Sequence, residues 1–156
     1  METPTLTLAE VYDGLTAPFP PQVIELKPGA VTKDKTKALA LAYADPRAYE
    51  DRLDVVVGPD NWSVEYRPLP GGTGLICRLT ILGKVREDVG EAPADDANTF
   101  TSAAAQAFKR ACAKFGIGRY LYNLPQLWCP YDEGKRQIVD APRVIAQLYK
   151  MARLAA

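Results

Sequence analysis

An α+β fold, with an antiparallel sheet carrying a long helix across it, follows from three observations. Alternating apolar residues mark strands between Trp62 and Val89, short turns join those strands, and a helical apolar repeat begins immediately afterwards at Thr99. The whole chain, 1–156, reads as one domain. It is 47% hydrophobic, which supports an ordinary core without staples.

Leu8 to Leu15 forms a short amphipathic helix that stops at the prolines of 17–21 (APFPP). Gln22 to Leu26 reads as a short strand ending at Lys27-Pro28-Gly29, and 32–37 (TKDKTK) as a flexible basic loop. Asp45 and Pro46 open a helix in which Tyr49, Leu53, Val56 and Val57 recur at helical spacing, and Gly58-Pro59-Asp60-Asn61 closes it. Trp62, Val64 and Tyr66 alternate along the next strand. Pro70 to Gly74 turns into a second strand, Leu75 to Leu82, and Gly83 into a third, Lys84 to Val89. An acidic loop, 90–98, leads to a helix with Phe100, Ala104, Phe108, Ala111 and Phe115 on its inner side, terminated by Gly116 and Gly118. After an irregular stretch, a last helix begins beyond Asp140-Ala141-Pro142 and buries Val144, Ile145, Leu148 and Met151.

Composition narrows the chemistry. There is no histidine, so Ser-His and Cys-His nucleophile pairs and most zinc sites are excluded. Cys77, Cys112 and Cys129 are odd in number and far apart, which fits reduced thiols in a cytoplasmic protein. No apolar run is long enough to span a membrane, and the N-terminus lacks the pattern of a secretory signal. The net charge of zero conceals an asymmetry. Residues 1–108 carry 10 Lys/Arg against 16 Asp/Glu, whereas 109–156 carry 9 against 3. A basic C-terminal portion permits a nucleic-acid surface.

The glycines of 71–74 lead into a strand and lack a following Lys-Ser/Thr, so they make a hairpin turn and not a phosphate loop. Glu87 and Asp88 are neighbours on a strand, face opposite sides, and cannot act as an acid/base pair. Glu25-Leu26-Lys27, with Asp13 upstream, has the Glu-x-Lys form of metal-dependent nucleases, a short motif that arises readily by chance. Lys109, Arg110 and Lys114 project from the helix side opposite the phenylalanines, a row of cations suited to phosphates along a strand.

Phe108 to Gly116 (FKRACAKFG) with Gly118 to Tyr122 (GRYLY), Arg86 to Gly90 (REDVG) and Gly58 to Ser63 (GPDNWS) stand in order over about residues 38–125. Together they resemble the Rad52/Rad22-type single-strand annealing superfamily. The resemblance implies a β-β-β-α core that assembles into an oligomeric ring. It implies single-stranded DNA held by its backbone in a basic groove, with end protection and strand annealing in DNA repair, and no cofactor and no catalytic residue. By position, Lys109 and Arg110 match the basic pair of the long helix and Arg47 a basic residue at the start of the earlier one. Lys114, Arg78, Lys84 and Arg86 are further candidates for the groove, and Lys33, Lys35 and Lys37 for a steering loop. Tyr120 and Tyr122 are candidates for base stacking or for core packing. The segment before the long helix departs from the pattern: it holds Glu91, Asp95 and Asp96 and no Lys or Arg, an acidic lip that would repel phosphate. The expected partners are single-stranded DNA and further copies of the chain, at the nucleoid and without a membrane. The rival readings are a nuclease using Asp13, Glu25 and Lys27, and a protein-interaction module.

Overall fold

A computed structural model describes residues 5–154 and groups them into two compact units. The first comprises the chain up to Ala17 and Pro46–Arg119, the second Pro18–Asp45 and Tyr120 onward. The α+β class with antiparallel sheets stands, but there are two sheets where one was expected.

In the first unit, α1 (Leu8–Thr16) starts with a capping box: Thr7 Oγ1 accepts the Glu10 N–H, and the Glu10 carboxylate accepts the Thr7 N–H at 2.7 Å. Helix α2 spans Pro46–Val56. The strands β3 (Trp62–Pro68), β4 (Gly74–Ile81) and β5 (Lys84–Glu91) make an antiparallel sheet in that order, and α3 (Thr99–Lys114) packs across β4 and β5. Gly71 and Gly72 take φ of 99° and 89° in the β3–β4 connection, the conformation a hairpin turn demands and one open to glycine. Cys77, Leu79 and Ile81 alternate on the α3 side of β4 and are fully buried against Ala103, Ala107 and Ala111. Phe108 anchors the layer, with Tyr49 edge-on at 6.4 Å and Trp62 tilted at 6.2 Å. The Trp62 indole N–H donates to Asp54 at 2.7 Å, so its polar end is also satisfied. Phe100 departs from expectation: it is 59% exposed, because the first turn of α3 extends beyond the sheet.

In the second unit, β1 (Ile24–Val31) pairs with β2 (Lys37–Ala44), β2 with β6 (Trp128–Asp132), and β6 with β7 (Gln137–Ile138), all antiparallel. The first strand therefore runs through Pro28-Gly29, where a register shift between Pro28 and Val31 accommodates the proline. Helix α4 (Ala141–Met151) covers the sheet with Val144 and Leu148 against Ala38, Ala40, Cys129 and Ile138. Tyr149, not Met151, completes its buried face; Met151 is 46% exposed. The Tyr149 hydroxyl donates to the Phe19 carbonyl at 2.7 Å and lies 2.7 Å from the Tyr120 hydroxyl, which accepts the Phe19 N–H. Among the described residues no helix is long and apolar enough to cross a membrane.

All three cysteines are free and buried. Burial pushes the Cys77 thiol up to about 12, helped by the nearby Asp88 charge, and raises Cys112 and Cys129 as well. Thiolate is the reactive form. The folded protein is therefore expected to give no fast reaction with a thiol-exchange reagent at pH 8, and all three thiols should appear together on denaturation. A native-state burst of even one equivalent would show that these sites are open.

Candidate nucleic-acid interface

The first unit gathers its cations where α3 meets β5. Gly90 permits that meeting. A Cβ at this position would lie 2.0 Å from the Ala103 carbonyl oxygen and 2.5 Å from the Ala107 nitrogen, so the helix backbone rests directly on the strand. Cross-strand register then sets which side chains join it. Cys77 pairs with Asp88 and Leu79 with Arg86, so Asp88 and Arg86 share the face that α3 covers. Lys84 follows the same alternation and is exposed.

Arg110 and Lys114 are one turn apart on α3 and both reach Asp88. The Arg110 Nε lies 3.8 Å from one carboxylate oxygen and the Lys114 Nζ 3.9 Å from the other. The Arg86 guanidinium sits 5.2 Å from the centre of the Phe115 ring, just past the end of α3. Two cations thus share one carboxylate, leaving one positive charge in excess, and Arg86 adds a third cation on the same strand face as Asp88. The two ion pairs are longer than hydrogen bonds, and both cations are about half exposed. Such pairs stabilise by roughly 0–1 kcal/mol. Asp88 orients Arg110 and Lys114 without neutralising them, and an incoming anion can displace it at small cost.

Lys109 is half-buried and lies about 100° round the helix from Arg110. The two adjacent cations therefore address different directions, and it is Lys114 that shares the side of Arg110. Arg47 is exposed in the first turn of α2. Arg78 lies elsewhere. It occupies the opposite face of the sheet, with Glu65 and Glu87 as its register partners on either side, and Glu87 is bridged to Arg67 at 3.0 Å. Arg78 and Arg86 cannot line one surface.

Of the three acids in the segment before α3, Asp96 is engaged in the helix start. One oxygen of Asp96 accepts the Asn98 N–H at 2.8 Å and the other the Ser102 hydroxyl at 3.1 Å, which places its charge at the positive end of the helix. This carboxylate starts α3 instead of forming a lip.

In the second unit, Lys33, Lys35 and Lys37 are exposed on the β1–β2 turn. Tyr120 is half-buried and packs on Phe19 at 6.3 Å and Tyr149 at 6.2 Å, while Tyr122 is 68% exposed. Sequence reasoning overlooked Arg119, whose Nε donates to the Ala113 carbonyl at 2.7 Å and ties down the end of α3. It also treated Asp88 only as a neighbour of Glu87, although its spacing of two from Arg86 puts both on one strand face.

The nuclease ligand set finds no geometric support. Glu25 and Lys27 are exposed on β1, with the Lys27 ammonium 5.7 Å from the centre of the Tyr43 ring. Among the described residues no three His, Cys, Asp or Glu side chains converge to hold a metal ion.

Comparison with known proteins bears on this surface. The model of the Rad52/22 family double-strand break repair protein matches residues 7–138. A single-stranded DNA-binding protein DdrA from Deinococcus deserti is 47% identical over 142 residues, covering 89% of this chain and 70% of the relative. A protein of the same name from Deinococcus radiodurans is 42% identical over 150 residues, covering 95% of this chain and 70% of the relative.

Proposed function

The chain belongs to the Rad52/22 family of double-strand break repair proteins, and from that premise we propose that it binds single-stranded DNA without sequence choice, as a non-catalytic partner in repair. The observation that carries the reading is the shared carboxylate: Arg110 and Lys114 both reach Asp88, with charge in excess, and Arg86 lies on the same strand face. Phosphates supply affinity through such cations and carry no sequence information. A backbone held this way leaves bases available to a complement, so the same surface serves end protection and annealing. Lys84 extends the strip along β5, and Lys109 and Arg47 are further phosphate contacts in this reading. Arg78 is left out because of the face it occupies.

One copy offers a short strip. Copies joined head to tail would make it continuous, and such a contact closes into a ring when the rotation permits. The protein would act in the cytoplasm at the nucleoid.

Titration of a labelled oligothymidylate at several salt concentrations tests the reading. Each single-strand phosphate contact contributes about 0.7 to the slope of log K against log salt. Arg47, Lys84, Arg86, Lys109, Arg110 and Lys114 together predict a slope near −4.2 per protomer from this surface. Absence of binding at low salt, or affinity indifferent to salt, would defeat it. Native mass with and without the oligonucleotide reads the ring.

A further inference from the structure

The second unit holds a basic tip formed by two turns that lie far apart in sequence. The first is the β1–β2 turn, 32–37, which alternates Thr-Lys-Asp-Lys-Thr-Lys. Its odd and even positions do different things. One Asp34 oxygen accepts the Thr32 hydroxyl at 2.7 Å, the Thr36 hydroxyl at 2.8 Å and the Thr36 N–H at 3.2 Å. Those bonds hold the Asp34 carboxyl below its usual range, the Thr32 bond most of all. The Thr32 N–H donates to the Lys37 carbonyl and the Lys35 N–H to the Thr32 carbonyl, both at 2.9 Å. The turn is cross-braced rather than the flexible loop its composition suggests, and the braces leave Lys33, Lys35 and Lys37 exposed.

The second is the β6–β7 turn. Asp132 Oδ1 accepts the Lys135 N–H at 3.0 Å, and Lys135 and Arg136 are exposed. Two contacts bind the turns together: the Tyr131 N–H donates to the Thr36 carbonyl at 2.9 Å, and Lys35 pairs with Glu133 at 3.1 Å.

Five cations therefore share one end of the second unit with three acids, and each acid is engaged within the turns. Among the described residues Lys33, Lys37, Lys135 and Arg136 have no ion-pair partner. Lys35 and Arg136 adopt φ of 59° and 52°, left-handed positions where glycine is the unstrained choice. The fold thus carries charged side chains at two sites where they cost conformational energy. The turns contain no apolar side chain, 32–37 being Thr, Lys and Asp and 132–137 Asp, Glu, Gly, Lys, Arg and Gln. A protein partner would need an apolar centre to bury. A phosphodiester backbone needs only spaced cations.

We propose that this paired-turn tip is a second phosphate-binding surface for single-stranded DNA, with Lys135 and Arg136 acting alongside Lys33, Lys35 and Lys37. This rests on the single-stranded DNA reading above.

The test is the double variant Lys135→Gln/Arg136→Gly, titrated with the same labelled oligothymidylate. Glycine suits the left-handed position, so the melting temperature should hold or rise. Affinity should nonetheless fall on the order of tenfold near physiological salt, and the salt slope should lose about 1.4. The charge-keeping variant Lys135→Arg/Arg136→Lys should bind as the parent does. If the parent binds and the Gln/Gly variant matches it in affinity and slope, this inference is overturned and the function proposed above stands. If the parent itself fails to bind at low salt, both fall.

Discussion

Replacing Lys109 and Arg110 together by Glu is expected to abolish single-stranded DNA binding while the protein stays folded. Neither side chain belongs to the core, which α3 builds from Ala103, Ala107, Phe108, Ala111 and Cys112. Glu matches Lys and Arg in helix propensity. The expected structural cost is small: a few tenths of a kcal/mol from placing acids in the C-terminal half of a helix, and a comparable penalty from a half-exposed carboxylate at position 110 near Asp88. The functional loss is much larger. Two charge-assisted contacts of about 1.5–3 kcal/mol each correspond to a hundredfold or more in Kd, before any repulsion between the new acids and phosphate. Asp88→Asn should act in the opposite direction. It frees Arg110 and Lys114 from their shared counter-charge, so affinity should rise at low salt and the salt dependence steepen. Fluorescence anisotropy at matched salt, with circular dichroism melts of each variant, reads both effects. Normal binding by the double variant would remove α3 from the interface, and weaker binding by Asp88→Asn would mean that the carboxylate organises the cations more than it competes for them.

The legible parts of the fold were those whose signals are local. Trp62 to Val89 alternates cleanly between faces, and its turns carry glycines, so β3, β4, β5 and their order were readable. The second sheet was not. Its strand β2 reads Lys-Ala-Leu-Ala-Leu-Ala-Tyr-Ala, apolar at nearly every position and rich in a helix former, so neither period stands out. That strand is completed by Cys129 opposite Ala38, a partner more than ninety residues away that no local pattern announces. The proline and glycine of β1 pointed to a stop, but an irregular register absorbs them. Phe100 shows a related limit: a helical period gives the side that faces inward but not where the sheet beneath it ends. At the candidate interface the cations of α3 were visible as residue types. Their grouping around Asp88, and the separation of Arg78 from Arg86, follow from strand register, which sequence specifies only through the completed sheet.

Gly90→Ala is expected to be the most destabilising single methyl addition in the first unit. The backbone of Gly90 is ordinary for a strand, so the requirement is one of space and not of conformation. The added Cβ would meet the Ala103 carbonyl oxygen at 2.0 Å and the Ala107 nitrogen at 2.5 Å, both backbone atoms of a hydrogen-bonded helix that cannot rotate aside. The helix must lift from β5. That movement opens the packing of Ala103 and Ala107 against Cys77 and Leu79, all fully buried. Overpacking commonly costs 1–3 kcal/mol, and a clash with backbone on both sides belongs at about 3 or above. For a chain of this size that corresponds to roughly 6–12 °C in Tm. Gly83→Asn supplies the contrast. Gly83 turns at a φ of 78° into open space, and Asn tolerates that conformation, so its urea midpoint should stay close to the parent's. The same lifting of α3 carries Arg110 and Lys114 away from Arg86 and Lys84 on β5 and breaks the strip, so Gly90→Ala should weaken DNA binding below its melting temperature without touching a charge. Parental stability in Gly90→Ala would mean that α3 and β5 do not approach as closely as the cation cluster requires.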